Sequence, residues 1–580
     1  MEEKDQSRVL LAFALSALVL LFFAPKAKKP EPAKNSAPQS QSAKQSPSAP
    51  PAPSAQPMVT PKQAAPATSA AQTTSAAPAT TVSASAETET VISSGLYEVH
   101  FTNRGAVATN WLLKNFESNG KELDLVNPLA TAQTGWPFAI YSDDETVRSP
   151  LAGALYTVTA TSKTAPSTVT FEYGDGSLHA RKEFHFEPDS YVVRVSTEVT
   201  RDGKPVVHEL SWRGGFGDRS VQDYNLGTSV ILTAGEKQDR KGIKDVKTDA
   251  HVAGPFSYVA IEDHFFVAAF MPGGEGDAPA AVSGTIPGAA LFKNSYSSGI
   301  GNPIDLMGVA VGGDAANHLR VYVGPKKYDV LKTIATDPRN QKAVQDGQTA
   351  LSLASIIDFG WFAVVALPMF MALKWIVAHW VANYGWAIVI LTVGINFVLF
   401  PLKLSSMKSA MKMQKLAPQV KAIQERYKKY KMNDPKKAEM NEEVMALYKK
   451  EGVNPLGGCL PMLIQLPFLY GFYRVLSQAV EMRHAAWMWV PDLSVHEPFF
   501  VHVLPIMFLV SMVILQKMTP QAPGGDPVQQ KMMMMMPIMM GVMFYNVSSG
   551  LVLYWLSSNI VQLGQQWYIN KTAPSSKAEK

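Results

Sequence analysis

Apolar positions are spread unevenly along this chain. Val9 to Ala24 is an almost unbroken apolar run followed by Pro25 and by Lys26, Lys28 and Lys29, with no small-residue cleavage pattern behind it, which predicts an uncleaved N-terminal transmembrane anchor over 1–24. From 25 to 93 the chain is mostly Pro, Ala, Ser, Gln and Thr. Such a stretch buries too little apolar surface to fold and predicts a disordered tether. From 94 to 346 the texture changes to short alternating segments such as YEVHF (Tyr97 to Phe101), STVTFEY (Ser167 to Tyr173) and YVVRVSTEV (Tyr191 to Val199). Period-two alternation, β-branched and aromatic residues, and Gly, Asp and Pro between the runs predict a large, mainly antiparallel all-β sandwich.

Beyond residue 351 the apolar residues gather into blocks of helical length. Gly385 to Pro401, Pro455 to Leu476, Phe499 to Leu515, Met532 to Val547 and Leu551 to Ile569 are each about long enough to cross a bilayer. They predict a five-helix membrane core over 385–570. The stretch 347–384 is also apolar, but Pro368, Lys374, His379 and the tryptophans Trp361, Trp375 and Trp380 suit an amphipathic helix lying along the membrane interface.

Charge fixes the orientation. The segment 403–453 is dense in lysine and poorer in acid, so the positive-inside rule makes it cytoplasmic. Parity then puts both termini in the cytoplasm, the β domain on the opposite side of the membrane, and 571–580 as a short cytoplasmic tail. The three lysines after the first helix argue the other way and are outvoted by the denser loop. The loop reads as a helical hairpin: one helix from Ser405 to Tyr430 interrupted at Pro418, and one starting at Asp434 and Pro435 and ending at Gly452.

Composition narrows the function classes. A net charge of +5 over 580 residues gives no argument for nucleic acid. A single cysteine, Cys459, excludes an internal disulfide and a cysteine-based metal cage. The sequence holds no phosphate-binding glycine loop, no HExxH and no GxSxG, so no enzyme activity, cofactor or metal is expected. The five blocks carry no Asp, Glu, Lys or Arg near their middles, which counts against ion-coupled transport. They do carry uncharged polar side chains on the cytoplasmic half: Thr392, Asn396, Gln465, Asn559 and Gln562, with Gln565 and Gln566 nearer a helix end. Singly, each suits helix-to-helix hydrogen bonding. Together they predict a wet recess open to the cytoplasm.

The stretches NPLGGCLPMLIQLPFLYGFYRVL (Asn454 to Leu476) and SSGLVLYWLSSNIVQLGQQWYI (Ser548 to Ile569) resemble the YidC family of membrane protein insertases, as do the basic hairpin and QKMTP at Gln516 to Pro520. FTNRGAVATNWLLKNF (Phe101 to Phe116) and VYVGPKKYDVL (Val321 to Leu331) resemble the ends of that family's periplasmic domain. The resemblance implies an insertase and foldase with an N-terminal anchor, a five-helix core and a periplasmic β-supersandwich. It also implies a hydrophilic groove open to cytoplasm and lipid. By matching motif position, Thr392, Gln465, Tyr554 and Trp555 would line the groove or the client path, beside Asn396, Asn559 and Gln562. Met462, Leu466, Met533, Met536 and Met540 would form a hydrophobic slide for client helices. The implied partners are nascent membrane proteins, the secretion channel and its accessory subunits, membrane lipids, and targeting factors or the ribosome at the 403–453 hairpin. One departure stands out: where the family commonly has a positive residue, five positions before Pro401, this chain has Asn396. A groove acting by hydration more than by charge is therefore expected. The rival class is a small-molecule transporter or lipid scramblase using the same recess.

Overall fold

The computed structural model describes residues 81–118, 120–220, 228–235, 237–273, 285–297, 299, 302–335, 353–430, 434–453, 460–519 and 527–572. The predicted anchor at 1–24 lies outside these residues, as do most of the tether and all but two residues of the 571–580 tail. Three antiparallel sheets make up the β part. A four-stranded meander runs Glu89–Ser93, Tyr97–Thr102, Val107–Ser118, Lys121–Asp124. A ten-stranded sheet has Ala316–Pro325 and Val192–Arg201 at its middle, and a five-stranded sheet is centred on Ile304–Asp314. The inward faces carry the alternate residues. In Leu178–Phe186, for example, Leu178, Ala180, Phe184 and Phe186 are buried. Tyr97, Trp111, Phe138 and Phe184 meet ring to ring in the core.

The first strand begins at Glu89 and Val82 already bridges Gly174, so the β domain starts inside the stretch assigned to the tether by composition. The segment ETVIS has the alternation of an edge strand, and pairing with Tyr97–Thr102 supplies the burial that a window average hides.

One cation lies in this core. Lys182 is fully buried, and its Nζ donates to the carbonyls of Gly105, Ala106 and Phe138 at 2.8–2.9 Å. Three acceptors match the three protons of an ammonium.

The β part carries three short helices, α1 (Pro128–Thr134), α2 (Glu145–Gly153) and α3 (Tyr328–Ala335). The helical part follows as α4 (Ala363–His379), α5 (Tyr384–Lys415), α6 (Ala417–Arg426), α7 (Pro435–Lys450), α8 (Leu460–Gln478), α9 (Val503–Met518), α10 (Pro527–Met543) and α11 (Ser549–Thr572). Among the described residues, α5 is long and apolar enough to cross a membrane by length and composition. Ala363–His379, Val503–Met518 and Met534–Met543 are shorter apolar helices.

Boundaries differ from the sequence reading at three places. α5 passes through Pro401 without a break and carries the chain to Lys415, so the first hairpin helix is a continuation of the span. A proline forfeits one backbone hydrogen bond, and the Lys, Met, Ser and Ala that follow are compatible with continuing the helix. The actual break falls at Leu416, with Pro418 in the first turn of α6. α9 starts at Val503 rather than Phe499, because Glu497 is buried and accepts from the Leu504 backbone N–H and from Trp489 Nε1. The hairpin also closes on a small core, in which Met413, Leu416 and Val420 meet Tyr448 and Val453.

Helices and β domain meet through buried charge. Lys326 Nζ lies 3.2 Å from Glu262 and 3.2 Å from Gln478 at the end of α8. Burial pulls the Lys326 pKa down, against the pull of Glu262 in the other direction. Arg240 reaches Glu262 at 3.1 Å.

Candidate functional site: a polar recess between α5, α8 and α11

α5 and α11 pack along their length and α8 closes one side. Where the three meet, the sequence places polar residues one helical turn apart. Thr392 and Asn396 share a face of α5. Tyr554, Ser558 and Gln562 share a face of α11, and Gln465 faces them from α8. Thr392, Asn396, Tyr554 and Ser558 are buried, whereas Gln465 and Gln562 are half-buried.

Ser558 is the centre of this arrangement. Its Oγ lies 2.9 Å from Gln562 Nε2, 3.2 Å from Gln465 Nε2 and 3.3 Å from Asn396 Nδ2. A hydroxyl offers two acceptor lone pairs, so three amide donors compete for it. Asn396 Nδ2 also donates to the Thr392 carbonyl at 2.8 Å, and Gln565 Nε2 reaches the Asn396 carbonyl at 3.2 Å. Thr392 Oγ1 donates back along its own helix to the Ile388 carbonyl at 2.7 Å. The Tyr554 ring stacks on Phe472 with centroids 4.3 Å apart, and its hydroxyl is hydrogen-bonded to the Gln465 side chain.

The recess is not free of charge. Lys403, two turns beyond Asn396 on α5, folds back along the helix and donates from Nζ to Asn396 Oδ1 at 2.7 Å. It is only 9% exposed. The expectation of a groove acting by hydration more than by charge did not include this lysine. The position before Pro401 is neutral, and a cation from the next two turns occupies its acceptor. A lysine on the hairpin side of Pro401 looked from sequence like part of the basic surface.

The remaining sequence-chosen residues face elsewhere. Trp555 packs on Phe544 and Phe508 at centroid distances of 4.3 and 5.2 Å. Asn559 Nδ2 donates to Ser511 Oγ on α9 at 3.0 Å. Both lie on the α9/α10 side of α11, apart from the recess. Of the slide residues, Leu466 and Met540 are half-buried and Met536 is 37% exposed; the side chains of Met462 and Met533 lie outside the described residues. The open face of α10 is carried by Met534, Met535, Ile538, Met539 and Val542, all more than half exposed.

Two family models match consecutive parts of the chain: "YidC periplasmic domain" over residues 89–372 and "60Kd inner membrane protein" over residues 375–577. The chain belongs to the YidC family. It is similar to proteins named membrane protein insertase YidC from several bacteria. The one from Syntrophus aciditrophicus is 31% identical over 500 residues, 84% of this chain and 86% of that protein. The one from Geobacter sp. strain M21 is 33% identical over 508 residues, 83% and 86%. The one from Cupriavidus taiwanensis is 37% identical over 406 residues, covering 68% of this chain and 66% of that protein. In YidC terms the three sheets are the periplasmic domain, and α5 to α11 fall in the part matched by the inner-membrane model. The recess lies wholly within that part.

Proposed function

We propose that this protein inserts membrane proteins into the bacterial inner membrane and helps them fold, with the recess around Ser558 as the place where a client's polar segment enters. Its relatives are named membrane protein insertases. The observation that carries the reading is the sharing of one hydroxyl by three side-chain amides inside a helix bundle.

Carrying a polar loop through hydrocarbon is opposed by the loss of water from each peptide group, at several kcal/mol per unsatisfied group. A recess already rich in amides lets those groups change partners instead of losing them. Because the amides compete for Ser558, a client's carbonyl takes up a donor without leaving a buried gap. The client's own apolar span then leaves for lipid at about 25 cal/mol per Å² of apolar surface removed from water. Charged tails gain or lose further with the membrane potential.

In this reading the β domain faces the periplasm, both termini and the 403–453 hairpin face the cytoplasm, and α4 lies along the outer interface. The secretion channel meets the β domain, and targeting factors or a ribosome meet the hairpin. Leu466, Met540 and the exposed methionines of α10 provide the apolar exit path.

A photo-cross-linker at Gln465, challenged with a ribosome-bound nascent membrane protein, tests the reading. Adducts to the nascent chain are expected. Adducts to lipid alone would assign the recess to a scramblase instead. The double substitution Gln465→Ala with Asn396→Ala is expected to slow insertion of single-span clients, and normal insertion by the folded double variant would overturn the role of the recess.

A further inference from the structure

We propose that Asp358 is a positioning residue for insertion: by holding Arg474 it fixes the rotation of α8, and with it the placement of Gln465 on Ser558 in the recess. This deepens the insertion reading and rests on it.

α8 is gripped on two opposite faces. Gln465 and Phe472 share one of them and meet Ser558 and Tyr554 of α11. Tyr470, Arg474 and Gln478 follow one another at one-turn spacing, and at about 100° per residue they lie half a turn round the helix from Gln465. This second face meets the segment 353–360, which leads into α4. Arg474 donates to the backbone carbonyl of Asp358 and lies 2.5 Å from its carboxylate Oδ2. Gly360, at φ +70°, makes room for the neighbouring ring, since a Cβ there would stand 2.9 Å from Tyr470 Oη. Gln478 accepts from Lys326 of the β domain at 3.2 Å.

The segment is fastened in turn to the β domain. Arg240 Nη2 donates to the Ile356 carbonyl at 2.8 Å, and Tyr258 Oη lies 3.1 Å from Ser355 Oγ. Leu353, Ile356, Ile357 and Phe359 are buried. Asp358 ties these contacts together: its Oδ1 accepts from the Gly360 N–H at 2.7 Å, and its Oδ2 lies 3.8 Å from Arg240 as well as beside Arg474. A planar guanidinium that meets both the carbonyl and the carboxylate of one residue is fixed in angle as well as in distance, which a point-like ammonium is not.

The consequence reaches the recess along the helix. Arg474 and Gln465 are nine residues apart, about 14 Å along the axis. A helix with its side chains has a radius of about 5–6 Å, so turning α8 by about 20° carries the Gln465 amide roughly 2 Å. Its bond to Ser558, at 3.2 Å, would part, and Phe472 would leave Tyr554 by the same motion. The polar side chains would all remain, but they would no longer converge on one hydroxyl.

The full-length protein, reconstituted in liposomes, is given two single-span clients with the same span, one with a long polar translocated tail and one with that tail cut short. Passage of the long tail depends on the recess, so the ratio of the two insertion rates is the readout, beside the midpoint of thermal unfolding. Asp358→Asn, which keeps the size of the side chain and loses the charge, is expected to lower the long-to-short ratio by about tenfold, less than the roughly hundredfold that misplacing a positioned group by about 1 Å can cost. Arg474→Lys keeps the charge but not the two-point grip; the same fall is expected, and this variant decides the matter where the Asn variant fails to fold. Asp358→Glu, whose carboxylate still reaches Arg474, is expected to keep most of the ratio. An unchanged ratio overturns the proposal. So does an equal slowing of both clients with a lowered midpoint, which would make the contact a matter of stability alone. Failure of the insertion reading is separately visible, as the absence of nascent-chain adducts at Gln465 in the unsubstituted protein.

Discussion

Arg483, in the loop after α8, donates from Nε to Asp218 Oδ2 of the β domain at 2.6 Å, with both side chains almost fully buried. The same guanidinium lies over the Phe266 ring at 5.8 Å. Asp218 is itself held in place by Asp263, whose carboxylate accepts from the backbone of Asp218, Phe265 and Phe266. Gly217 adopts φ +110°, and a Cβ there would stand 2.4 Å from Asp263 Oδ2. The pair is thus the end of a small rigid assembly that fixes the β domain to the helical part.

Removing one partner leaves an uncompensated buried charge, which typically costs about 3–5 kcal/mol. Asp218→Ala is expected to destabilise the full-length protein by that order and to expose the 479–502 loop to protease. Asp218→Ala combined with Arg483→Met should recover much of the loss, because no lone charge remains. The midpoint of thermal unfolding in detergent, followed by tryptophan fluorescence, measures both. A double variant no more stable than the single would show that Arg483 acts chiefly through Phe266 and the Glu117 carbonyl.

Lys182 predicts a pH dependence of stability. Burial pulls its pKa from 10.5 down to about 7 in the folded protein. Between those values the unfolded chain binds more protons than the folded one, so this residue makes stability rise with pH from about 7 to about 10.5. The gain is lost again as pH falls through the folded value. Lys182→Met should flatten that slope. It also strips three buried carbonyls of their donor, a loss of about 3 kcal/mol at one hydrogen bond each. Denaturant unfolding of both proteins across pH 6 to 10 gives the comparison; parallel curves would mean that the three carbonyls hold the ammonium fully charged throughout.

Ser558 predicts a dissociation between stability and function. Ser558→Val removes the shared acceptor and fills the recess with an apolar branch, so insertion of a client with a polar translocated tail is expected to slow about tenfold. The bundle itself should lose only about 1 kcal/mol, the usual scale for a side-chain hydrogen bond between membrane helices. Ser558→Thr keeps the hydroxyl and should insert at close to the original rate. Insertion assays in inverted vesicles separate the three proteins; a Val variant as fast as the original would remove Ser558 from the function.

Much of this was legible in the sequence, and the residues that were not share a physical reason. Alternation in the β segments and apolar runs of helical length are one-dimensional signals, and they located the strands and the apolar helices. Ser558 was missed because a mid-helix serine has no distinctive neighbours in sequence; only its three amide donors, from α5, α8 and α11, mark it. Lys403 was read as hairpin because Pro401 looked like a helix end, whereas α5 continues and lets the side chain reach back. Tyr554 and Trp555 are adjacent in a helix and so diverge by about 100°. One faces Phe472 and the other Phe544, and a motif carried over as a pair cannot register that.

The methionine run from Met532 to Met536 supplies the last prediction. Pro537, Met540 and Gly541 turn inward, with Gly541 against Leu509 of α9, while Met534 and Met535 are 70% and 64% exposed and Met539 is 63% exposed. If these side chains served only to pack α10, they would not be concentrated on its most exposed face among the described residues. Unbranched thioether chains repack against unlike partners at little cost, whereas β-branched chains hold one rotamer in a helix. Replacing Met534, Met535 and Met539 together by Val keeps the face apolar but stiffens it. The triple variant should therefore insert some clients normally and others several-fold more slowly, with the spread across a panel of single-span clients wider than for the original protein. Replacement by Leu, which is flexible at χ1 but not polarisable, should fall between the two. A uniform rate across the panel in the Val variant would reduce the run to lipid-facing surface.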